Sequence, residues 1–389
     1  MKVKRLAIIT THPIQYNAPW FRLLAQSDKL LLKVFYTWEQ SQKGATFDPG
    51  FGRKIEWDIP LLEGYDHTFV KNTAADPGTH HFKGMINPTL IKEVESWKPD
   101  ALLVFGWSFR SHLACMRHFH GKVPVLFRGD STLLNDKPGI KKILRRLFLR
   151  WVYRYVDYAL YVGTNNKNYF LAHGIREDQL VHVPHAVDNL RFAEPQDSYE
   201  RQAKEWRDKI GFSNSDLVVL FAGKLEPVKD PFFLLQLATA IDRTDIKFLV
   251  VGNGQFEAEL KEKAHNDPRV VFLDFQNQKM MPVIYRAGNI FILPSRSETW
   301  GLAVNEAMVC ARPVMVSKKT GGGPDLVLEG SNGIIFENGD INKCVRFITQ
   351  LADDRNLLRQ MGRHSAQRVQ QFSYNNNSDI LIELLTNRL

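Results

Sequence analysis

Short apolar runs rich in β-branched residues alternate with helix-length stretches along almost the whole chain, and this rhythm leaves few folds open. The first series of runs is Arg5–Thr10, Leu31–Tyr36, Ala101–Phe105, Val123–Phe127 and Tyr158–Val162. The second is Leu217–Ala222, Lys247–Val251, Val270–Leu273, Ile290–Leu293 and Val314–Ser317. Unbroken apolar runs of this length read as strands buried on both faces, which is the signature of parallel sheets covered by helices. The fold class is therefore α/β, and two series predict two doubly wound, Rossmann-like domains. The 389 residues are enough for two such cores. Ligands of these sheets bind beyond the carboxyl ends of the strands, so the loops that follow strands carry most of the functional information.

The domain boundary falls near Val187–Ser215. There a charged segment, Asp197–Asp208, reads as a surface helix or linker before the fresh strand at Leu217. This assigns residues 1–190 to a first domain and 191–372 to a second. Residues 373–389 form a terminal helix with Ile380, Leu381, Leu384 and Leu385 on one face, expected to pack back on the first domain. Residues 40–83 are less regular, with Gly44, Gly50, Gly52, Gly64 and Gly78 among aromatic and charged residues. They read as a long insertion over the ligand edge of the first domain, serving either function or cover.

Charge is distributed unevenly. Residues 1–190 hold 26 Lys and Arg against 17 Asp and Glu, whereas residues 191–389 hold 25 of each. The excess positive charge thus lies in the first half, as suits an anionic partner such as a membrane face or a phosphate-linked acceptor. Cys115, Cys310 and Cys344 are far apart and make no metal-binding spacing. The start of the chain runs directly into a strand without a cleavage site, and no run of 18 apolar residues exists. A cytoplasmic enzyme is the resulting expectation.

Four loops in the second half share one chemistry. Gly223-Lys224 follows the strand Leu217–Ala222, and Lys229 comes before the next helix. Two ammonium groups near a strand's carboxyl end suit a diphosphate, although surface lysines are the plainer alternative. The second loop, Gly252-Asn-Gly254, lacks the third glycine and the following acid of a dinucleotide-binding turn. The third runs from Pro294 to Met308, with Glu298 in the loop, Gly301 opening a helix and Glu306 inside it. Free N–H groups at a helix start suit phosphate, and carboxylates suit the hydroxyls of a sugar. The fourth, Thr320-Gly-Gly-Gly-Pro-Asp325, includes Gly322 and fits close backbone approach to a ligand.

Taken together and in this order, these loops resemble the donor domain of family 4 retaining glycosyltransferases, whose two-domain architecture is called GT-B. The resemblance spans essentially the whole chain, but its specific motifs are concentrated in residues 220–335. It implies two Rossmann-like domains with parallel sheets facing a central cleft, and donor binding by the second domain. The family's Arg-x4-Lys element corresponds to Lys224 and Lys229 after Gly223, with Lys in place of Arg. That substitution keeps the charge and loses the bidentate fork. The family's E-x7-E pair corresponds to Glu298 and Glu306. By resemblance Glu298 contacts hydroxyls of the donor sugar, Glu306 the ribose, and Thr299, Trp300, Gly301 and Leu302 the sugar and phosphates. The usual glutamate after the glycine loop is here Asp325.

The first half departs from the family pattern. Many relatives have a glycine-rich loop after the first strand. This chain has Thr10-Thr-His-Pro-Ile-Gln-Tyr-Asn-Ala-Pro19, which places His12, Gln15 and Tyr16 at the expected ligand edge, or else caps the loop. This matches a subgroup with a His-Pro-Ile-Gln-Tyr start. The family's histidine after a mid-domain strand is missing, and either Asp130 or Arg128 takes its place. His112, His118 and His120 lie in a helical stretch and read as structural or exposed. Residues Lys137–Val156 contain seven Lys and Arg and no acid, interleaved with Ile140, Ile143, Leu144, Leu147, Trp151 and Val152 at helical spacing. This is a basic amphipathic helix, fit for anionic lipid or for core packing with a solvated basic face.

The resemblance implies transfer of a sugar from a nucleoside diphosphate to an acceptor hydroxyl, with retention. Lys224, Lys229 and the helix start at Gly301 would stabilise the leaving diphosphate without a divalent metal, since no Asp-x-Asp segment is present. Asp130 and His12 are the candidates beside the reacting centre. Front-face attack by the acceptor and closure of the domains against water complete the expected mechanism. The expected partners are a nucleotide sugar, a glycan or lipid-linked acceptor, and the inner face of the plasma membrane if the basic helix binds lipid. No cofactor is expected. A sugar-nucleotide epimerase on the same architecture is one alternative. A nucleic-acid-binding protein using the basic half is another, but no recognised motif supports it, and nucleic acid is not an expected partner.

Overall fold

The structure, a computed structural model, describes residues 3–43, 46–48 and 50–389. It divides into two compact units. One comprises Met1–Thr46, Pro60–His185 and Tyr374–Leu389; the other comprises Phe47–Ile59 and Ala186–Ser373.

The first unit is built on strands β1 (Lys4–Thr10), β2 (Leu30–Tyr36), β5 (Asp66–Phe69), β6 (Ala101–Phe105), β7 (Val125–Arg128), β8 (Tyr158–Tyr161) and β9 (Leu180–His182), in the order β5-β2-β1-β6-β7-β8-β9. Every described pairing in this sheet is parallel. The period of two explains why β1 is apolar throughout. Ala7 and Ile9 enter one core with Phe35, Val104 and Phe127, while Leu6 and Ile8 enter another with Trp20, Phe21 and Tyr36. The terminal segment completes the second of these cores through Leu381, Leu384 and Leu385.

The second unit repeats the plan with β10 (Leu217–Ala222), β11 (Ile246–Val251), β12 (Val270–Leu273), β13 (Ile290–Leu293), β14 (Val314–Ser317) and β15 (Gly333–Phe336), in the order β12-β11-β10-β13-β14-β15. All pairs are again parallel. Val219, Phe221, Phe248, Val250, Ile290 and Ile292 pack with the helices Phe232–Ala240 and Ile341–Asp353 into a single core. The charged segment 197–208 falls within the helix Gln196–Lys209.

One short two-stranded sheet, β3 (Thr46–Asp48) with β4 (Arg53–Ile55), stands outside both large sheets. The sequence reading places all of residues 40–83 over the first domain, and here the structure differs. Residues 47–59 belong to the second unit, and the described residues from 50 onwards find partners there. Phe51 packs edge-on against Phe275 at 4.8 Å between ring centroids, and Asn277 donates to the Glu56 carbonyl at 2.6 Å.

Candidate functional site

The strand order places the ligand edge of each unit. A crevice forms where consecutive strands leave a central pair in opposite directions. In the second unit that pair is β10 and β13, and in the first it is β1 and β6. The loops after β10 and β13 carry the residues singled out as Lys229 and Glu298, and these side chains meet as a hydrogen-bonded ion pair. Both are half-buried, with 23% and 15% of the side chain exposed, so neither charge is fully hydrated. The two loops are also tied to each other by backbone and side chain. Arg296 N donates to the Val228 carbonyl at 2.8 Å, and the Arg296 guanidinium grips both oxygens of Asp230 at 2.9 and 3.1 Å. Asp230 has φ of +50°, a left-handed conformation that Asp tolerates better than most residues. Arg296 and Asp230 escaped the sequence reading, although Arg296 stands inside the loop from Pro294 and Asp230 directly follows Lys229. Nothing local in either segment announces its partner.

Glycines in these loops serve mainly to let backbones abut. A Cβ on Gly252 would lie 2.1 Å from the Gly223 carbonyl oxygen, and one on Gly254 would lie 2.6 Å from that of Leu225. The β10 and β11 loops are therefore locked main chain to main chain. The same device joins the loop after β14 to the loop after β13. A Cβ on Gly321 would sit 1.9 Å from the Thr299 carbonyl oxygen, and Gly322 is buried against the Trp300 ring. Main-chain bonds reinforce the contact: Glu298 N to Lys319 O, Gly321 N to Glu298 O and Gly322 N to Trp300 O, at 3.1, 2.9 and 2.9 Å. Gly301, with φ of +100°, turns the chain into the helix Leu302–Val309. Trp300 is buried and donates to Asn305 at 2.8 Å, Leu302 is half-buried, and Thr299 is exposed on the loop. Lys224 is half-buried, with its ammonium 5.1 Å from the Phe51 ring centroid. Glu306 is buried in the helix and accepts a hydrogen bond from the Tyr285 hydroxyl at 2.7 Å.

In the first unit His12, Gln15 and Tyr16 occupy the loop after β1, at the predicted edge, and all three are half-buried. His12 lies edge-on to Trp38 at 5.2 Å, bonds to Thr11 at 2.9 Å, and is pushed by burial down to about 4, so it is neutral at physiological pH. The Tyr16 carbonyl accepts from Tyr374 at 3.0 Å. Arg128, at the end of β7, is buried and spends its guanidinium on the carbonyls of Val183 and Pro184 at 2.7 and 3.2 Å, over the Trp20 ring. Burial lowers it to about 10. Asp130 is less enclosed and faces His185, with Nε2 3.7 Å from a carboxylate oxygen. The structure therefore puts a histidine beside Asp130 after all, but from the chain beyond β9, 55 residues later in sequence. His112 is buried between Thr37 and the carbonyls of Phe105 and Gly106 and has a structural role. Asp76, His80 and His81 form the one group among the described residues spaced to hold a cation, and they lie outside these loops.

The helix Ile140–Tyr153 resolves another open alternative. Only Leu149, Val152 and Tyr153 are buried on it. Ile140, Ile143, Leu144 and Leu147 are 75, 60, 60 and 57% exposed, and Phe148 and Trp151 are exposed too. Apart from Val152, the apolar row is thus not spent on the core. Lys142 and Arg145 share Asp136, each at 3.6 Å. No helix among the described residues is long and apolar enough to cross a membrane.

Residues 202–368 match the family described as glycosyl transferases group 1. The sulfoquinovosyl transferase SQD2 of Arabidopsis thaliana is 24% identical over 306 residues, covering 74% of this chain and 57% of that one. The GDP-mannose-dependent monoacylated alpha-(1-6)-phosphatidylinositol monomannoside mannosyltransferase of Corynebacterium glutamicum is 28% identical over 229 residues, covering 56% and 57%. The chain thus spans little more than half the length of these curated relatives. Among solved structures, Anabaena Alr3699/HepE in complex with UDP and glucose superposes with a TM-score of 0.70 over 99% of this chain and 100% of that one, at 16% identity. That likeness is one of fold.

Proposed function

We propose that the chain, whose residues 202–368 match the glycosyl transferases group 1 family and whose fold is GT-B, transfers a sugar from a nucleoside diphosphate to an acceptor hydroxyl with retention of configuration. The observation that carries this reading is the Lys229–Glu298 pair on the adjoining loops at the switch point of the second sheet. A donor would replace this internal pair with two external ones. The diphosphate takes the Lys229 ammonium, and a donor-sugar hydroxyl donates to the Glu298 carboxylate. As the glycosidic bond breaks, negative charge grows on the leaving diphosphate. Lys229, Lys224 and the helix start at Gly301 are fixed before the reaction and stabilise that charge without a divalent metal. UDP, found in HepE, is a candidate leaving group.

On the acceptor side, burial keeps His12 neutral, and Asp130 faces His185 at 3.7 Å. Gln15 and Tyr16 border the same edge. The acceptor we propose is a glycan or lipid-linked glycan used in surface polysaccharide assembly, reached at the cytoplasmic face of a membrane. The exposed Ile140–Leu147 row, flanked by lysines and arginines, supports peripheral docking there.

The deciding experiment incubates the full chain with a panel of nucleotide sugars in EDTA and follows its melting temperature and nucleotide release. One donor should stabilise the protein. Lys229→Ala and Glu298→Ala should lose that effect, and product anomers read by NMR should keep the donor's configuration. Stabilisation by no nucleotide or nucleotide sugar would remove the donor site. Donor turnover without any acceptor would point to an epimerase instead.

A further inference from the structure

The segment around β4 is out of place in a useful way. It comes from the first half of the sequence, yet it lies on three consecutive ligand-edge loops of the second unit. Gly50 rests against the Lys224 side chain in the β10 loop, where an added Cβ would meet Cδ at 2.5 Å. The Arg53 guanidinium reaches Asn253 in the β11 loop at 3.4 Å and lies 5.4 Å over the Phe275 ring in the β12 loop. Phe51 closes the triangle, edge-on to Phe275 and beneath the Lys224 ammonium. Two further bonds pin the exit of the segment. Asn277 donates to the Glu56 carbonyl, and the Lys279 main-chain N–H donates to the Asp58 carboxylate at 3.2 Å.

Two aromatic rings and two cations converge here at the carboxyl ends of β10, β11 and β12. Aromatic faces bind a base by stacking, and guanidinium and ammonium groups bind phosphate oxygens. We propose that Phe51 and Arg53 form a wall of the nucleotide site, with Phe51 and Phe275 receiving the base of a nucleoside diphosphate and Arg53 joining Lys224 on its phosphates. The proposal rests on the donor reading above and adds to it residues outside the matched region 202–368. Arg53 is exposed and takes its place from loop partners, so replacing it removes a binding group and leaves the core intact.

The test measures binding of UDP, GDP and the corresponding nucleosides to the full chain by calorimetry, with Phe51→Ala, Arg53→Ala and, as a control, Lys54→Ala, the exposed neighbouring cation. Arg53→Ala should weaken the bound diphosphate roughly tenfold or more, the scale of a lost charge-assisted hydrogen bond, while leaving nucleoside affinity unchanged. Phe51→Ala should weaken both, and Lys54→Ala neither. Wild-type affinity in both Phe51→Ala and Arg53→Ala, with Lys229→Ala still losing UDP, would overturn this inference alone. Tighter binding in the variants would also overturn it, by showing the segment to be a competitor for the site. A folded wild-type chain that binds no nucleoside diphosphate would remove this inference together with the donor site itself.

Discussion

Lys229 and Glu298 stand 69 positions apart in sequence and in contact in space. Each was legible by itself as a loop residue after a strand, but their pairing was not, because it depends on β10 and β13 being neighbours. Removing one partner leaves a half-buried charge alone and takes away a group that acts on the leaving diphosphate. Lys229→Ala should lower kcat/KM by on the order of 10²-fold, measured with the donor identified by the binding panel. Gly321 offers a sharper geometric check. An alanine there would drive Cβ into the Thr299 carbonyl and part the β13 and β14 loops. Gly321→Ala should cost about 1–3 kcal/mol of stability in chemical denaturation and abolish donor stabilisation, whereas a fully stable, donor-binding variant would contradict the close contact. Two histidines give a pH signature. Burial holds His12 and His112 at about 4, below the ordinary 6.5, so folding favours their neutral forms. Their contribution is complete above about pH 6.5 and is lost as pH falls towards 4. The melting temperature should therefore decline over that window, and His112→Asn should flatten the decline.

At the scale of elements, the strands that were found and those that were missed differ in position. The central strands β1, β6, β10, β13 and β14 are buried on both faces and read as continuous apolar runs. Of the missed strands, β5, β9 and β15 are three- or four-residue edge strands of the two large sheets. Edge strands need fewer apolar residues, and Asp66-His-Thr-Phe69 has only one, so a hydropathy pattern does not reveal β5, while Leu180-Val-His182 and Gly333-Ile-Ile-Phe336 are too short to stand out. The basic helix shows the opposite limit. Its periodicity was plain, but sequence could not say whether the apolar row faced the core. The structure buries Leu149, Val152 and Tyr153 and leaves Ile143, Leu144 and Leu147 outside. Replacing these last three with Ser should abolish sedimentation with vesicles of phosphatidylglycerol and phosphatidylcholine while shifting stability by less than about 1 kcal/mol. Binding that survives the change, or a large loss of stability, would count against membrane docking.

For the whole molecule, the described cores, two in the first unit and one in the second, imply two units that respond separately to ligand. Calorimetric unfolding should resolve two transitions, and saturating UDP should raise the one belonging to the second unit by mass action. A uniform shift of both transitions would place the nucleotide elsewhere. The excised segment 186–373 lacks residues 47–59, so its affinity for UDP should fall below that of the full chain.

The α/β class, the two series of strands and the loops that hold Lys224, Lys229 and Glu298 follow from local pattern, because parallel strands buried on both faces must be apolar and their ligand loops must follow them. What the tertiary structure alone decided concerns partners distant in sequence. It set His185 beside Asp130, Arg296 on Asp230, Tyr285 on Glu306, and residues 50–58 on the loops of the second unit. Such contacts are products of strand order and loop packing, and neither the composition nor the spacing of a segment encodes which distant segment it will meet.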